Sequence, residues 1–159
     1  MLQYDTLIDF DGVIYDTEQR IVDCKKNFSY MSWDEFFLEL DWFQLLEESK
    51  VINNSIELIL MAQEKNKRIA ILTKIHTLGE MQAKTEILRS EKIEIPILFV
   101  PPHITKSQIY IPKHGETLID DSIKNLREWQ RSGGKSIYFN EQGNESHEFE
   151  SIKTLKKIL

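Results

Sequence analysis

Apolar residues gather along this chain in five short blocks: Tyr4 to Ile8, Arg68 to Leu72, Ile97 to Val100, Glu116 to Ile119 and Lys135 to Phe139. Each is of strand length and is bounded by polar or turn-forming residues. Between the later blocks the apolar positions switch to a helical interval. Leu78 to Arg89 is one such stretch. Ile123 to Arg131 is another, with Ile123, Leu126 and Trp129 on one side and Gly133 and Gly134 ending it. Ser55 to Lys65 leads as a helix into the second block. From about Phe149, the spacing of Phe149, Ile152, Leu155 and Ile158, with lysines on the other side, predicts a closing helix packed on the sheet. Strands alternating with helices predict an α/β fold, a doubly wound, mainly parallel five-stranded sheet with helices on both faces. With right-handed crossovers the expected order is 3-2-1-4-5. No internal repeat is visible.

The interval between the first two blocks is far too long for one crossover. It holds three possible helical stretches and concentrates Phe28, Tyr30, Trp33, Phe36, Phe37, Trp42 and Phe43. We therefore expect a core domain formed by residues 1–17 and 51–159, with a small helical cap, residues 18–50, inserted after strand one. Most of these aromatics should form the core of the insert, leaving one or two to face a ligand.

Three of the strands end in chemistry. The first runs into Asp9 and Asp11 with Gly12 behind them, the second stops at Thr73, and the fourth stops at Asp120 and Asp121. In open α/β sheets ligands bind outside the carboxyl ends of the strands, at the point where strand order reverses. The expected order brings all three polar ends there. Carboxylates so gathered repel by roughly 4 kcal/mol for a pair about 4 Å apart at an intermediate dielectric. A divalent cation relieves that repulsion, and an all-oxygen ligand set that leaves room for water and a substrate phosphate suits Mg2+ better than zinc. Asp9 would be the nucleophile, forming an aspartyl-phosphate. Asp11 can protonate the departing oxygen and later take a proton from water. Thr73 can hold phosphoryl oxygens, and a lysine is needed to neutralise them. Lys106 and Lys113 both precede strand four, and spacing alone does not decide between them.

Composition narrows the partners. The 159 residues carry a net charge of −6, with 41% hydrophobic and 29% charged residues. This is an ordinary globular balance, with no basic face for a nucleic-acid polymer or an anionic membrane. Cys24 is the single cysteine, so no intrachain disulfide or thiolate zinc cluster forms, and with no apolar run of membrane-spanning length a cytoplasmic location is expected.

"DFDGV" at 9 to 13, Thr73 ending a strand, a lysine upstream, and "LIDDS" at 118 to 122 together resemble the four motifs of the haloacid dehalogenase (HAD) superfamily of phosphohydrolases. The short length, the small helical cap and "LIDD" followed by Asn125 look most similar to its 5'(3')-deoxyribonucleotidase-like members. The resemblance implies that Asp9 is nucleophile and magnesium ligand, and that Asp11 is acid/base and a backbone-carbonyl ligand. It makes Thr73 the phosphate holder, Asp121 the further metal ligand, and Asp120 a second ligand or a support behind it. It favours Lys106, in "KSQIY", over Lys113. Lys74 stands where relatives carry a small or amide residue and adds positive charge beside the phosphate. An acid at Asp11 favours a phosphatase over carbon–halogen cleavage, since dehalogenase members lack it. The substrate implied is a small phosphorylated metabolite, with a (deoxy)nucleoside monophosphate as one candidate.

Plainer readings stand beside these. Asp16 with Thr17 reads as a helix cap, Pro101 and Pro102 stop strand three, and His76, His103, His114 and His147 read as surface residues, His76 drawing interest for its closeness to Thr73. A receiver domain would carry its adjacent acids at strand one and its phosphorylated aspartate at strand three, which here ends in "FVPP". A catalytically idle HAD-like protein that binds a nucleotide or a partner has the same groups.

Overall fold

The computed structural model describes residues 3–159. In chain order the elements are β1 (Thr6–Ile8), α1 (Thr17–Lys26), α2 (Trp33–Glu39), α3 (Trp42–Glu48), α4 (Ser55–Glu64), β2 (Ile69–Lys74), α5 (Leu78–Ser90), β3 (Ile97–Val100), α6 (Lys106–Ile109), β4 (Thr117–Asp120), α7 (Ile123–Arg131), β5 (Lys135–Phe139) and β6 (Glu150–Ile152), followed by a 3-10 turn at Leu155–Ile158. All six strands pair in parallel in one sheet of order β3-β2-β1-β4-β5-β6. The expected 3-2-1-4-5 order is therefore present, extended by one strand. Tyr4 lies outside β1, and β2 runs on through Thr73 and Lys74.

Two apolar layers enclose the sheet, as a parallel sheet requires. One contains Ile8, Phe10, Ile71, Ile119, Leu88 and Leu155; the other contains Leu7, Leu72, Leu118, Leu126 and Trp129. Alternate residues of β1, β2 and β4 thus feed opposite layers, as the two-residue strand period dictates. Helix starts are set by local side chains: Thr77 Oγ1 accepts from the Glu80 amide at 3.1 Å to cap α5, and Ser122 Oγ accepts from the Asn125 amide to cap α7.

Two expectations need correction. The closing helix from Phe149 is instead β6 and the 3-10 turn. Its apolar residues recur every three positions, which in a strand sends them to opposite faces. Because both faces of this sheet are covered, Phe149 reaches one core layer while Ile152 packs against the other, so the strand buries what a helix would have buried. The second correction concerns the aromatics between β1 and α4. Only Phe36 and Trp42 are buried; Phe37 is half-buried, and Phe28, Tyr30, Trp33 and Phe43 are exposed. Helices of 10, 7 and 7 residues are too small to enclose seven rings. Phe28 instead lies tilted against Tyr30, and Trp33 is edge-on to the buried Phe36 with Lys25 over it. Trp42 seats this layer on the rest, its ring stacked with that of His76, and α3 packs on α5. No helix among the described residues is long and apolar enough to cross a membrane.

Trp129 is the largest fully buried side chain. Its Nε1 donates to the Glu116 carbonyl at 2.9 Å, and a β-carbon on Gly134 would lie 2.1 Å from that nitrogen. Trp129→Ala empties this layer, and we expect a loss of about 3–5 kcal/mol in unfolding free energy by urea titration. Gly134→Ala should destabilise in the same direction by crowding the ring.

Candidate active site

β1 and β4 are hydrogen-bonded neighbours in register Ile8↔Ile119, so Asp9, just past β1, and Asp120, the last residue of β4, lie side by side at the sheet end. The Asp9 amide donates to the Ile119 carbonyl at 2.9 Å. Asp9, Asp120 and Asp121 each offer a carboxylate oxygen within 4.8 Å of the others. Lys106, the first residue of α6, is buried between them, its Nζ 2.7 Å from Asp9 Oδ1 and 2.6 Å from Asp120 Oδ2. Lys113 is exposed and takes no part in these contacts.

The three acids are not equivalent. Asp120 is fully buried and its oxygens are engaged: Oδ1 accepts from the Ser122 amide at 2.8 Å, and Oδ2 accepts from Lys106 and from Asn125 Nδ2 at 3.1 Å. Asp9 Oδ1 is buried and its one close polar neighbour among the described residues is the Lys106 ammonium, at ion-pair distance. Asp121 approaches through space that Gly12 leaves free: a β-carbon there would sit 2.0 Å from Asp121 Oδ2, and the backbone of Gly12 is left-handed at φ +71°. Only glycine meets both demands.

Electrostatics follow from this crowding. Burial, then the charge of Asp120, pushes the Asp9 carboxyl up to about 7 against the pull of Lys106. Burial, then the charges of Asp9, Glu18 and Asp120, pushes Asp121 up to about 9. Burial pulls Lys106 down, but Asp120 and Asp9 outweigh it and hold the ammonium above its ordinary range. Three carboxylates against one ammonium leave an excess of two negative charges when all are ionised. That uncompensated charge, with adjacent carboxylates and oxygen-only donors within 4.8 Å, fits a hard divalent cation. Asp120 has both oxygens engaged by Lys106, Asn125 and the Ser122 amide, whereas Asp9 meets Lys106 through one oxygen, so Asp9 and Asp121 are the side chains that could take it.

Asp11 belongs to a separate cluster. Thr17 Oγ1 donates to its Oδ1 at 2.5 Å, and Lys84 Nζ donates to its Oδ2 at 2.6 Å. Burial alone would raise this carboxyl, but Lys84, then Thr17 and Lys106, outweigh it and hold it below the usual carboxylate range. Thr73 is fully buried, its hydroxyl 3.4 Å from Asp11 Oδ2 and accepting from Lys84 at 3.0 Å. Lys74 contributes its carbonyl, which accepts from Lys84 at 2.9 Å, while its half-buried side chain lines a groove with Asp34, Phe37, His76 and His103, away from the three-aspartate cluster.

Sequence reasoning missed Lys84 and Thr17. Lys84 is fully buried on α5 in a stripe with Glu80, Ala83 and Leu88. A lysine at an inward helical position is the signal that could have revealed it. Thr17 begins α1, as a capping segment should, but its hydroxyl serves Asp11. Asp16 makes no side-chain cap and instead accepts from the Lys50 amide at 2.6 Å.

No protein-family model and no curated protein matches this chain. Solved structures do. A HAD hydrolase of family IA, variant 3, from Entamoeba histolytica superposes with a TM-score of 0.67 at 15% identity, over 99% of this chain and 96% of that one. The fold is that of the HAD hydrolases. CbbY from Rhodobacter sphaeroides, solved in complex with phosphate, gives 0.63 at 14% identity over 98% and 96% of the two chains. The HAD-hydrolase YfnB from Bacillus subtilis, solved bound to magnesium, gives 0.63 at 12% over 98% and 97%. The HAD fold accounts for the convergence of β1, β2 and β4 at one sheet end.

The raised carboxyls make stability depend on pH in a defined direction. The folded protein holds protons on Asp9 and Asp121 that the unfolded chain releases near 3.8. Their contribution is complete below that value and is lost as pH rises through about 7 and then about 9. In chelator, thermal unfolding should therefore move to lower temperature between roughly pH 5 and pH 9. Asp121→Asn should flatten the upper part of that fall; a slope equal to that of the unaltered protein would contradict the arrangement.

Proposed function

We propose that the protein is a Mg2+-dependent phosphomonoesterase that works through an aspartyl-phosphate on a small phosphorylated metabolite. The observation that carries this reading is the buried Asp9 carboxylate, paired with Lys106 at 2.7 Å and with carboxylate oxygens of Asp120 and Asp121 within 4.8 Å. The folds of a phosphate complex and a magnesium complex among its structural neighbours support it. Asp9 and Asp121, with the Asp11 carbonyl, would hold the cation, with Asp120 behind them. When bound, the ion offsets the charge of the acids and of the phosphoryl oxygens.

Asp9 attacks phosphorus, and the bond from phosphorus to the ester oxygen breaks as that oxygen takes a proton from Asp11, which first takes it from solvent because Lys84 and Thr17 outweigh burial and hold its carboxyl below the usual range. A water then attacks phosphorus while Asp11 accepts its proton, and the bond to Asp9 breaks with its electron pair returning to the carboxylate. Lys106 neutralises charge on the phosphoryl oxygens. Thr73 would hold phosphoryl oxygens from the end of β2, although its hydroxyl must share itself with Asp11 and Lys84, and Lys74 would have to turn its side chain from the groove beside His76 to join it. Residues 18–50 act as the cap over a core of 1–17 and 51–159, in keeping with the stacking of Phe37 of α2 on His76 after β2. A nucleoside monophosphate is the substrate class that the motif resemblance favours. The acidic net charge of −6 and the lone cysteine accord with a small-molecule substrate and a cytoplasmic setting.

With p-nitrophenyl phosphate, hydrolysis should require Mg2+, stop with chelator, and fall by at least about 10³-fold in Asp9→Asn. Turnover that survives Asp9→Asn would overturn the mechanism. A panel of deoxynucleotides, nucleotides and sugar phosphates then tests the substrate class, and equal rates across it would remove the nucleotide preference while leaving the phosphatase.

A further inference from the structure

Behind Asp11 lies a chain of contacts that the proposed chemistry leaves unused. Lys84 and Glu80 are both buried, and Lys84 Nζ is 2.8 Å from Glu80 Oε1. The other Glu80 oxygen, Oε2, accepts from the His76 amide at 2.6 Å and lies 3.0 Å from His76 Nδ1. The His76 ring in turn stacks on Phe37 of α2, with centroids 3.8 Å apart and planes 21° from parallel. A contiguous path therefore runs from the helical insert through Phe37, His76, Glu80 and Lys84 to the Asp11 carboxylate. Two full charges buried on one helix are expensive unless held in place, and here each has a fixed partner on both sides.

The geometry points to Lys84 as a positioning residue. It holds the Asp11 carboxylate in the orientation from which it takes a proton from the water that hydrolyses the Asp9 phosphoryl intermediate. Glu80 and His76 fix Lys84 from behind, and Phe37 seats His76 from the insert. Asp11 has a donor on each oxygen, Thr17 on Oδ1 and Lys84 on Oδ2, so its rotation is set while further lone pairs stay free to accept. In the step concerned, the water oxygen bonds to phosphorus, its proton passes to Asp11, and the phosphorus bond to Asp9 breaks. The inference rests on the aspartyl-phosphate mechanism proposed above.

The test separates the two chemical steps. An aryl phosphate needs little help from an acid to leave, so its kcat/KM reports attack by Asp9, whereas kcat reports hydrolysis of the intermediate once that step is slow. We would measure rapid-mixing and steady-state kinetics with p-nitrophenyl phosphate and Mg2+ for the unaltered protein, for Lys84→Met combined with Glu80→Gln, and for His76→Ala. The paired substitution avoids leaving Glu80 ionised without its cation. The expected result is a burst of p-nitrophenolate close to one equivalent of enzyme in the paired variant. Its kcat should fall by about tenfold or more and its KM should fall with it, with kcat/KM changed by less than about threefold. His76, with its side chain 42% exposed, can be removed without opening the core, and His76→Ala should shift kcat and KM in the same sense by a smaller factor. A merely structural role would instead lower kcat and kcat/KM together with no burst, and that result overturns the inference, as do unchanged kinetics. If the paired variant does not fold, His76→Ala decides alone: the same kcat and no burst overturn it. An unaltered protein that turns over no phosphate ester removes the proposed function and this inference with it, whereas an active protein with unaffected variants removes this inference only.

Discussion

The ion pairs of Lys106 with Asp9 and Asp120 are the constraint around which the rest is arranged. Parallel pairing of β1 with β4 puts two buried aspartates next to each other, and such a pair tolerates burial only with a cation between them. Lys106 supplies it from a four-residue helix after β3, on an element that neither strand controls. Removing one partner of a buried pair costs about 3–5 kcal/mol, because the remaining charge is left uncompensated. The Ser122 amide and Asn125 contribute to the same end by occupying the Asp120 oxygens, so that Lys106 is held by an acid that has no other task.

The second feature is a partition. Asp9 and Asp11 are two residues apart, yet their side chains belong to different charge clusters. Phe10, fully buried between them, anchors the turn by entering the core and stacking with Tyr15 at 5.1 Å. On one side, burial and then crowded acids raise the carboxyls; on the other, Lys84 and Thr17 outweigh burial and lower that of Asp11. One short loop thereby offers two aspartates in opposite electrostatic settings, and cation binding beside Asp9 would favour the ionised form that a nucleophile needs.

The parts of this arrangement that could be read from the chain are those carried by contiguous residues. The apolar runs ending in Asp9, Thr73 and Asp120 state both a strand and what lies at its end, and the alternation with helices implies their order. Lys84 was not legible because a lysine four residues after a glutamate on a helix looks like a solvated pair; only the packing of α5 reveals that both are inside. The choice between Lys106 and Lys113 likewise depends on where a loop goes. At the carboxyl end, Phe149 and Ile152 misled for a different reason: a spacing of three suits one face of a helix and also suits a strand covered on both faces. Among the aromatics, ring count suggested a core, while the short helices provide no volume for it.

Gly12 ties two distant positions to a shared fate. Its missing β-carbon is the space that Asp121 occupies, so any side chain acquired at one position evicts the carboxylate at the other. Shortening residue 121 would relieve the clash but not the left-handed backbone at Gly12, which still costs an L-residue about 1–2 kcal/mol. Across evolutionary drift the route away from this pair is therefore uphill twice, and a lineage that shed Asp121 would have more reason to keep the glycine than to replace it.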